Sequence, residues 1–258
     1  MGKDLPVGRR LTRRAVLGAA ASGFACLGIA DSRSQRMKKT APRFIEISHA
    51  IEEGMVTYPG LPPPEVHVIV DHDSSRAKYQ GKSEFLIASL HCCGNTGTYV
   101  DSPLHRYRGA TDLAGLPLER VAHVPVRVFD ARDFERAVGP ELFAGEDLRD
   151  CAVLVRTDFS QFWRSERYGR DNPYLTAQAC EALVEAGAAF VGIDSLNVDD
   201  VTDLVRPAHT ILLGAGIPVC EHMTNLEALP AQGGRLHAVP IAWRGGATFP
   251  VRAYVQYS

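Results

Sequence analysis

Long apolar runs are missing from almost the whole chain: beyond residue 30 no stretch of about 20 hydrophobic residues occurs, so nothing there has the length to cross a bilayer as a helix. A surplus of positive charge is missing too. The 258 residues carry a formal charge of −2, and setting aside Lys3, Asp4, Arg9, Arg10, Arg13 and Arg14 leaves 23 basic against 29 acidic side chains. A mildly acidic body has no electrostatic footprint for nucleic acid, so neither nucleic acid nor, for the mature form, a membrane is expected as a partner. Cysteines are few (Cys26, Cys92, Cys93, Cys151, Cys180 and Cys220), and no two stand at C-x-x-C spacing. That excludes a disulfide framework and a zinc ribbon, and most read as small buried hydrophobes. Repeats and low-complexity tracts are absent. What remains is ordinary globular usage, 45% hydrophobic and 22% charged, which suits one large domain with a substantial core.

The first thirty residues differ from the rest. Arg9-Arg10-Leu-Thr12-Arg13-Arg14-Ala-Val-Leu leads into a Gly/Ala-rich apolar stretch that ends at Gly28-Ile-Ala30. A charged segment, an apolar segment and a small-residue end form an export signal, and the Thr-Arg-Arg-x-Val-Leu core resembles a twin-arginine signal. Residues 1–30 are therefore read as a signal, 31–43 as a linker and 44–258 as the catalytic domain. Export to the periplasm follows from that reading; initiation at Met37 would leave the protein cytoplasmic.

From Phe44 onward, strands and helices mix. Phe44-Ile-Glu-Ile-Ser-His49 alternates as a first strand, and residues 54–64 form a Gly/Pro loop. Val66–Val70, Phe85–Leu90, Val124–Phe129 and Ala152–Arg156 read as strands. Thr176–Ala186 has helical spacing, with Thr176 as N-cap and Gly187 past its end. Ala189–Asp194 is a strand ending on an acid, His209–Leu213 a short helical turn and Ile217–Glu221 a strand, and Leu236–Tyr257 alternates as strand to the end. Without strict βαβ order, this predicts a single α/β domain with a mixed sheet.

The segment 91–105 is the most informative. His91, Cys93, Asn95, Tyr99, Asp101 and His105 all fall at odd positions, which an extended chain would turn to one face. Fully extended, Asp101 and His105 would stand about 13 Å apart, but Gly97 and Pro103 let the chain bend. A carboxylate and an imidazole brought together on a bent strand end suit metal ligation and proton transfer.

The cyclase/kynurenine-formamidase family carries His-Thr-Gly-Thr-His-x-Asp-x-Pro-x-His, which Asn95-Thr-Gly-Thr-Tyr99-Val-Asp101-Ser-Pro-Leu-His105 resembles. Ile47-Ser-His49, Tyr58-Pro-Gly60, Val155-Arg-Thr-Asp158, Val191-Gly-Ile-Asp194 and His209-Thr-Ile-Leu-Leu…Ile217-Pro-Val-Cys-Glu221 follow in the family's order. The resemblance implies a swivelling β/β/α architecture, assembly as a homodimer or higher homo-oligomer, and metal-dependent hydrolysis of a small amide or cyclic amide or ester, with N-formylkynurenine the reference substrate. It further implies Asp101, His209 and Glu221 as metal ligands and His105 as the proton-transferring residue.

Asn95 and Tyr99 stand where the family has ligating histidines. Asn is a weak donor to zinc, and a Tyr phenol has an unperturbed pKa near 10. Three ligands remain, the number a catalytic zinc uses while keeping a position open for water, so one divalent ion, zinc or manganese, is expected. Two alternatives stay open: a metal-free hydrolase with Asn95 and Tyr99 as hydrogen-bonding groups, and a non-catalytic descendant that binds a small ligand. Tyr58, Phe162, Trp163 and Tyr168 are candidates for the pocket or, equally, for core packing. His91 could replace the ligand lost at Asn95, and Asp194 could position a neighbour, line the pocket or cap a helix near Leu196. Cys92 and Cys93 have no base paired to them for thiol catalysis. The remaining histidines, His222 among them, receive no role.

Overall fold

The computed structural model describes residues 42–258, so the expected signal and all but the end of the linker lie outside the described residues. The strands are β1 (Arg43–Glu46), β2 (Glu65–Val70), β3 (Ile87–His91), β4 (Tyr99–Asp101), β5 (Ala122–Asp130), β6 (Ala137–Val138), β7 (Ala152–Arg156), β8 (Tyr174–Leu175), β9 (Phe190–Ile193), β10 (Val219–Glu221), β11 (Gln232–His237), β12 (Thr248–Pro250) and β13 (Tyr254–Tyr257). Three helices accompany them: α1 (His72–Lys78), α2 (Ala177–Glu185) and α3 (Pro207–Gly214). The first strand starts at Arg43, one residue before the expected domain boundary.

Nine strands form one mixed sheet in the order β1-β13-β11-β5-β7-β9-β10-β4-β12. Its centre, β5-β7-β9-β10, is parallel, and antiparallel strands flank it on both sides. The apolar runs at Ala152–Val155 and Phe190–Ile193 are buried throughout, as central parallel strands covered on both faces must be. Alternation divides their side chains between two cores. Leu154 and Phe190 join Val124, Val126, Leu236 and Val255 on one face. Val153, Val155, Val191 and Ile193 pack on the other against Leu183 of α2 and Leu212 and Leu213 of α3. The sheet with its few helices is the mixed α/β architecture expected.

Local signals explain α2 well. The Thr176 side chain accepts from the Ala179 N–H at 3.2 Å, and Gly187 follows the helix at φ +77°. Helix α1 was not expected, because His72–Lys78 has no apolar period; Asp71 starts it by accepting from the Ser74 N–H at 2.7 Å. Phe85 is tied to that helix through the Ser75 hydroxyl, so β3 begins at Ile87 instead. Strands β2 and β3 make a separate two-stranded sheet. Among the described residues no helix is long and apolar enough to cross a membrane.

Candidate metal centre and active-site cleft

Strand register assembles the site. Tyr99 of β4 pairs with Glu221 of β10, and Asp101 pairs with Val219 on one side and Thr248 of β12 on the other. Directly opposed residues of antiparallel strands stand about 5 Å apart, so Glu221 meets Tyr99 and Thr248 meets Asp101. The first turn of α3 then brings in His209 beside the carboxyl ends of β9 and β10, where open α/β sheets hold their ligands. The resulting cleft of about 300 Å³ is lined by Tyr58, Asn95, Tyr99, His105, His209 and Glu221, with Pro59, Gly60, Leu61, Asn197 and Arg206 around them.

His209 is its centre. Its Nε2 lies 3.5 Å from Asp101 Oδ2 and 3.5 Å from Glu221 Oε1, and all three residues are buried. Its Nδ1 is 2.6 Å from Asp199 Oδ2. The same Asp199 carboxylate accepts from the Ala208 and His209 N–H groups at 2.6 and 3.2 Å, so it fixes both the start of α3 and the imidazole. A carboxylate on the far nitrogen is the usual partner of a metal-ligating histidine.

The donor set fits a divalent cation on three counts. Two ligands about 2.1 Å from a tetrahedral ion are about 3.4 Å from each other, which the two 3.5 Å separations match. Asp101 Oδ2 is buried with no hydrogen-bond partner among the described residues, a state that is costly unless something else satisfies it. Finally, burial would lower the His209 pKa, yet the carboxylates of Glu221, Asp101 and Asp199 raise it to about 10. Burial and the nearby Asp101 charge push Glu221 up to about 7. Three acids crowded round one imidazole keep a proton on it that a cation would displace.

His105 approaches from the solvent side with its side chain 34% exposed. The chain does not run extended from Asp101: Pro103–His105 form a 3-10 turn, which brings His105 Nδ1 to 3.7 Å from Asp101 Oδ1. Thr248 joins the two, its hydroxyl donating to Asp101 Oδ1 and standing 3.0 Å from His105 Nδ1. With that hydroxyl committed to the carboxylate, it accepts from Nδ1–H, which leaves Nε2 the free basic nitrogen of neutral His105. Ligand atoms of Asp101, His105 and His209 all fall within 4.8 Å of one another, so His105 is in ligating range as well.

The two departures from the family motif behave differently from lost ligands. Tyr99 is buried and donates to Glu221 Oε2 at 2.6 Å. Burial, reinforced by Glu221 and Asp101, raises its phenol well above 10, so it stays a neutral donor. His222 Nε2 is 3.2 Å from the same phenol oxygen, and its Nδ1 is 3.0 Å from the Tyr168 hydroxyl. The chain runs from Tyr168 to His222 to Tyr99 to Glu221 and needs a proton on His222 Nε2; burial takes the His222 pKa down to about 3, so the imidazole is neutral and its Nδ1 accepts from Tyr168. With Oε1 also accepting from the Val198 N–H at 2.7 Å, Glu221 is held at both oxygens. His222, given no role from sequence, is thus a structural member of the site. Asn95 lines the cleft from a loop in which Gly94 packs on β12 so closely that a Cβ would overlap the Thr248 carbonyl.

The remaining expected residues divide. Tyr58 lines the cleft, whereas Phe162 and Trp163 are not among its lining residues. They pack with Phe159, Tyr168 and Leu196 behind it; Trp163 stacks on His49 at 4.1 Å and Phe162 carries the Arg167 guanidinium at 3.7 Å. His91 does not replace Asn95: it sits on the β2–β3 hairpin with Glu65 and His67. Asp194 positions a neighbour, its carboxylate accepting from the Thr157 N–H and hydroxyl and from the Asp158 N–H. Cys92 and Cys93 stand outside the cleft, and burial raises the Cys92 thiol. Sequence reasoning missed Asp199, Thr248 and Arg206. A carboxylate eight residues ahead of a helix that begins at Pro207 with no side-chain cap of its own was the only local trace of the first.

Comparison with known proteins gives the family and the fold. Residues 45–200 match the cyclase family model, described as "Putative cyclase". The kynurenine formamidase of Salinibacter ruber is 29% identical over 212 residues, covering 82% of this chain and 96% of that protein. Isatin hydrolase A from Labrenzia aggregata, solved with benzyl benzoate, superposes with a TM-score of 0.72 at 23% identity over 84% of this chain and 94% of that one. A "predicted metal-dependent hydrolase" from Bacillus stearothermophilus gives 0.67 at 23% identity over 85% and 100%. At such identities the two solved structures establish the shared fold alone.

Proposed function

The chain belongs to the cyclase family, and from that premise we propose that it is a metal-dependent hydrolase cleaving the C–N bond of a small aryl formamide or cyclic amide. The observation that carries the reading is the position of His209, with Nε2 at 3.5 Å from both Asp101 and Glu221 and Nδ1 on Asp199. Asp101, His209 and Glu221 would hold one divalent ion, zinc or manganese, since imidazole suits the first and carboxylates the second. Such an ion supplies Lewis acidity and lowers the pKa of water bound to it.

The chain's own residues do the rest. His105 takes a proton through Nε2 and returns it to the leaving nitrogen, while Thr248 orients its ring through Nδ1. Tyr99, with the chain through His222 and Tyr168 behind it, fixes Glu221. Pro59 and Leu61 give the cleft an apolar wall against which an aryl ring can lie. The clustering of the three ligand side chains supports the hydrolase over a ligand-binding descendant.

The test is elemental analysis of purified wild type and His209→Ala together with an arylformamide hydrolysis assay. One equivalent of divalent metal is expected in the wild type. In the variant both metal content and turnover should fall by at least about 100-fold. Metal-free wild type whose turnover survives chelators would overturn the metal and leave hydrolysis to His105 alone. Assembly as a homodimer or higher oligomer is part of the same proposal, supported by the apolar β2–β3 hairpin, where Val68, Ile69 and Leu90 are exposed; light scattering reads it directly.

A further inference from the structure

Among the described residues that line the cleft, Arg206 is the only Arg or Lys. It is half-buried at the mouth of α3, immediately before Pro207, with its backbone in the left-handed region at φ +54° and ψ +58°, a conformation few non-glycine residues occupy. Its Nη1 donates to Asn197 Oδ1 at 3.2 Å, and Asn197 is itself buried, so the guanidinium has a fixed anchor. No carboxylate lies within 4.0 Å of it among the described residues, although the site around it is rich in acids. Asp101, Glu221 and Asp199 are instead all turned to His209. A guanidinium has five donors in a planar fork that matches a carboxylate; here Asn197 takes one and Tyr58 is a second partner, which leaves the others for a ligand. Pro59 and Leu61 give the same cleft an apolar lip.

We propose that Arg206 receives a carboxylate of the substrate, making the preferred substrates anionic aryl amides whose ring carries an acid group. The inference rests on the hydrolase reading above and adds the charge of the molecule hydrolysed. An acid group at Arg206 would pin one end of the substrate while the ring meets the apolar lip and the amide faces His105 and His209.

Metal-loaded wild type, Arg206→Gln and Arg206→Lys are assayed on N-formylanthranilate, which is anionic, and on formanilide, its neutral counterpart. Wild type is expected to favour the anion. Arg206→Gln should cut the ratio of the two kcat/KM values by roughly tenfold or more, chiefly through KM for the anion. Arg206→Lys, which keeps the charge and loses the fork, should fall between. A ratio within twofold of wild type in Arg206→Gln overturns the inference. Benzoate and benzyl alcohol binding, measured by calorimetry on the same proteins, gives a readout free of turnover: benzoate alone should weaken in Arg206→Gln. Equal weakening of both ligands, or of neither, also overturns it. Wild type that hydrolyses neither amide counts against the hydrolase reading, and the benzoate comparison still decides Arg206.

Discussion

On the α3 side of the cleft the imidazole of His209 meets acids at both nitrogens, Asp199 at 2.6 Å on one and Asp101 and Glu221 at 3.5 Å on the other. On the β4 side, where the family motif would place two more histidines, Tyr99 turns its hydroxyl to Glu221 and Asn95 offers a neutral amide. On the proposed reading the first side would hold a cation and the second would hold a ligand residue. Tyr99 lies opposite Glu221 in the strand register and donates to it, so a position that the family motif gives to a ligand would here support one. What the second side adds is a buried chain that keeps Glu221 in place.

The sharpest way to break this comparison is His105→Ala. If His105 carries the proton and Asp101, His209 and Glu221 carry the metal, turnover should drop by about 10²–10⁴ while metal content stays at the wild-type level. Loss of metal in that variant would move His105 into the ligand set, where its proximity to Asp101 and His209 also allows it. Next in size is Asp199→Asn, which keeps the shape and removes the charge behind His209. Metal affinity should weaken about 10–100-fold, read by competition with a chromogenic chelator. An unchanged affinity would reduce Asp199 to a helix cap.

Tyr99→Phe tests the other side. Removing the phenol leaves Glu221 Oε2 with only Asn197 Nδ2 at 3.4 Å and strands the His222 Nε2–H. The metal-free protein should lose about 1–3 kcal/mol of stability, measured by denaturant unfolding, with a smaller effect on metal binding than Asp199→Asn. A larger loss of metal than of stability would make Tyr99 a ligand after all.

How much of this was legible in the sequence follows from the range of each interaction. Strand β7 and helix α2 could be read because their signals are local: a buried apolar run at Ala152–Val155, and Thr176 and Gly187 at the two ends of a helical period. The bend between Asp101 and His105 was readable from Pro103, though not its form as a 3-10 turn. Asp101, His105, His209 and Glu221 are linked in the sequence only through resemblance to a family, since no periodicity joins residues 101 and 221. Thr248 and His222 lay beyond reach for the same reason. Their partners are set by cross-strand register, Thr248 against Asp101 and the 221–222 corner against Tyr99, and register between strands over a hundred residues apart leaves no mark in either segment alone. Phe162 and Trp163 were ambiguous because an aromatic behind a site and one lining it have the same composition.

His222 provides the finest test of the β4 side, because burial keeps it neutral within the chain from Tyr168 to Glu221. Burial lowers its pKa from 6.5 to about 3, so between those values the unfolded chain binds a proton that the folded one does not. Stability from this group is therefore present above pH 6.5 and lost as pH falls, by about 1.4 kcal/mol per pH unit. His49, lowered to about 4 by burial, acts in the same direction. Asp194, raised to about 6, and Glu221, raised to about 7, act in the opposite one, so the wild-type slope mixes opposing contributions. The difference between wild type and His222→Gln removes those shared contributions. Glutamine can donate to Tyr99 and accept from Tyr168 without titrating, and urea unfolding of both metal-free proteins at pH 7, 6, 5 and 4 should show the variant gaining on wild type by about that amount per unit below pH 6.5. A constant difference across the range would mean that residue 222 is protonated or solvated in the fold, and the chain supporting Glu221 would have to be redrawn without it.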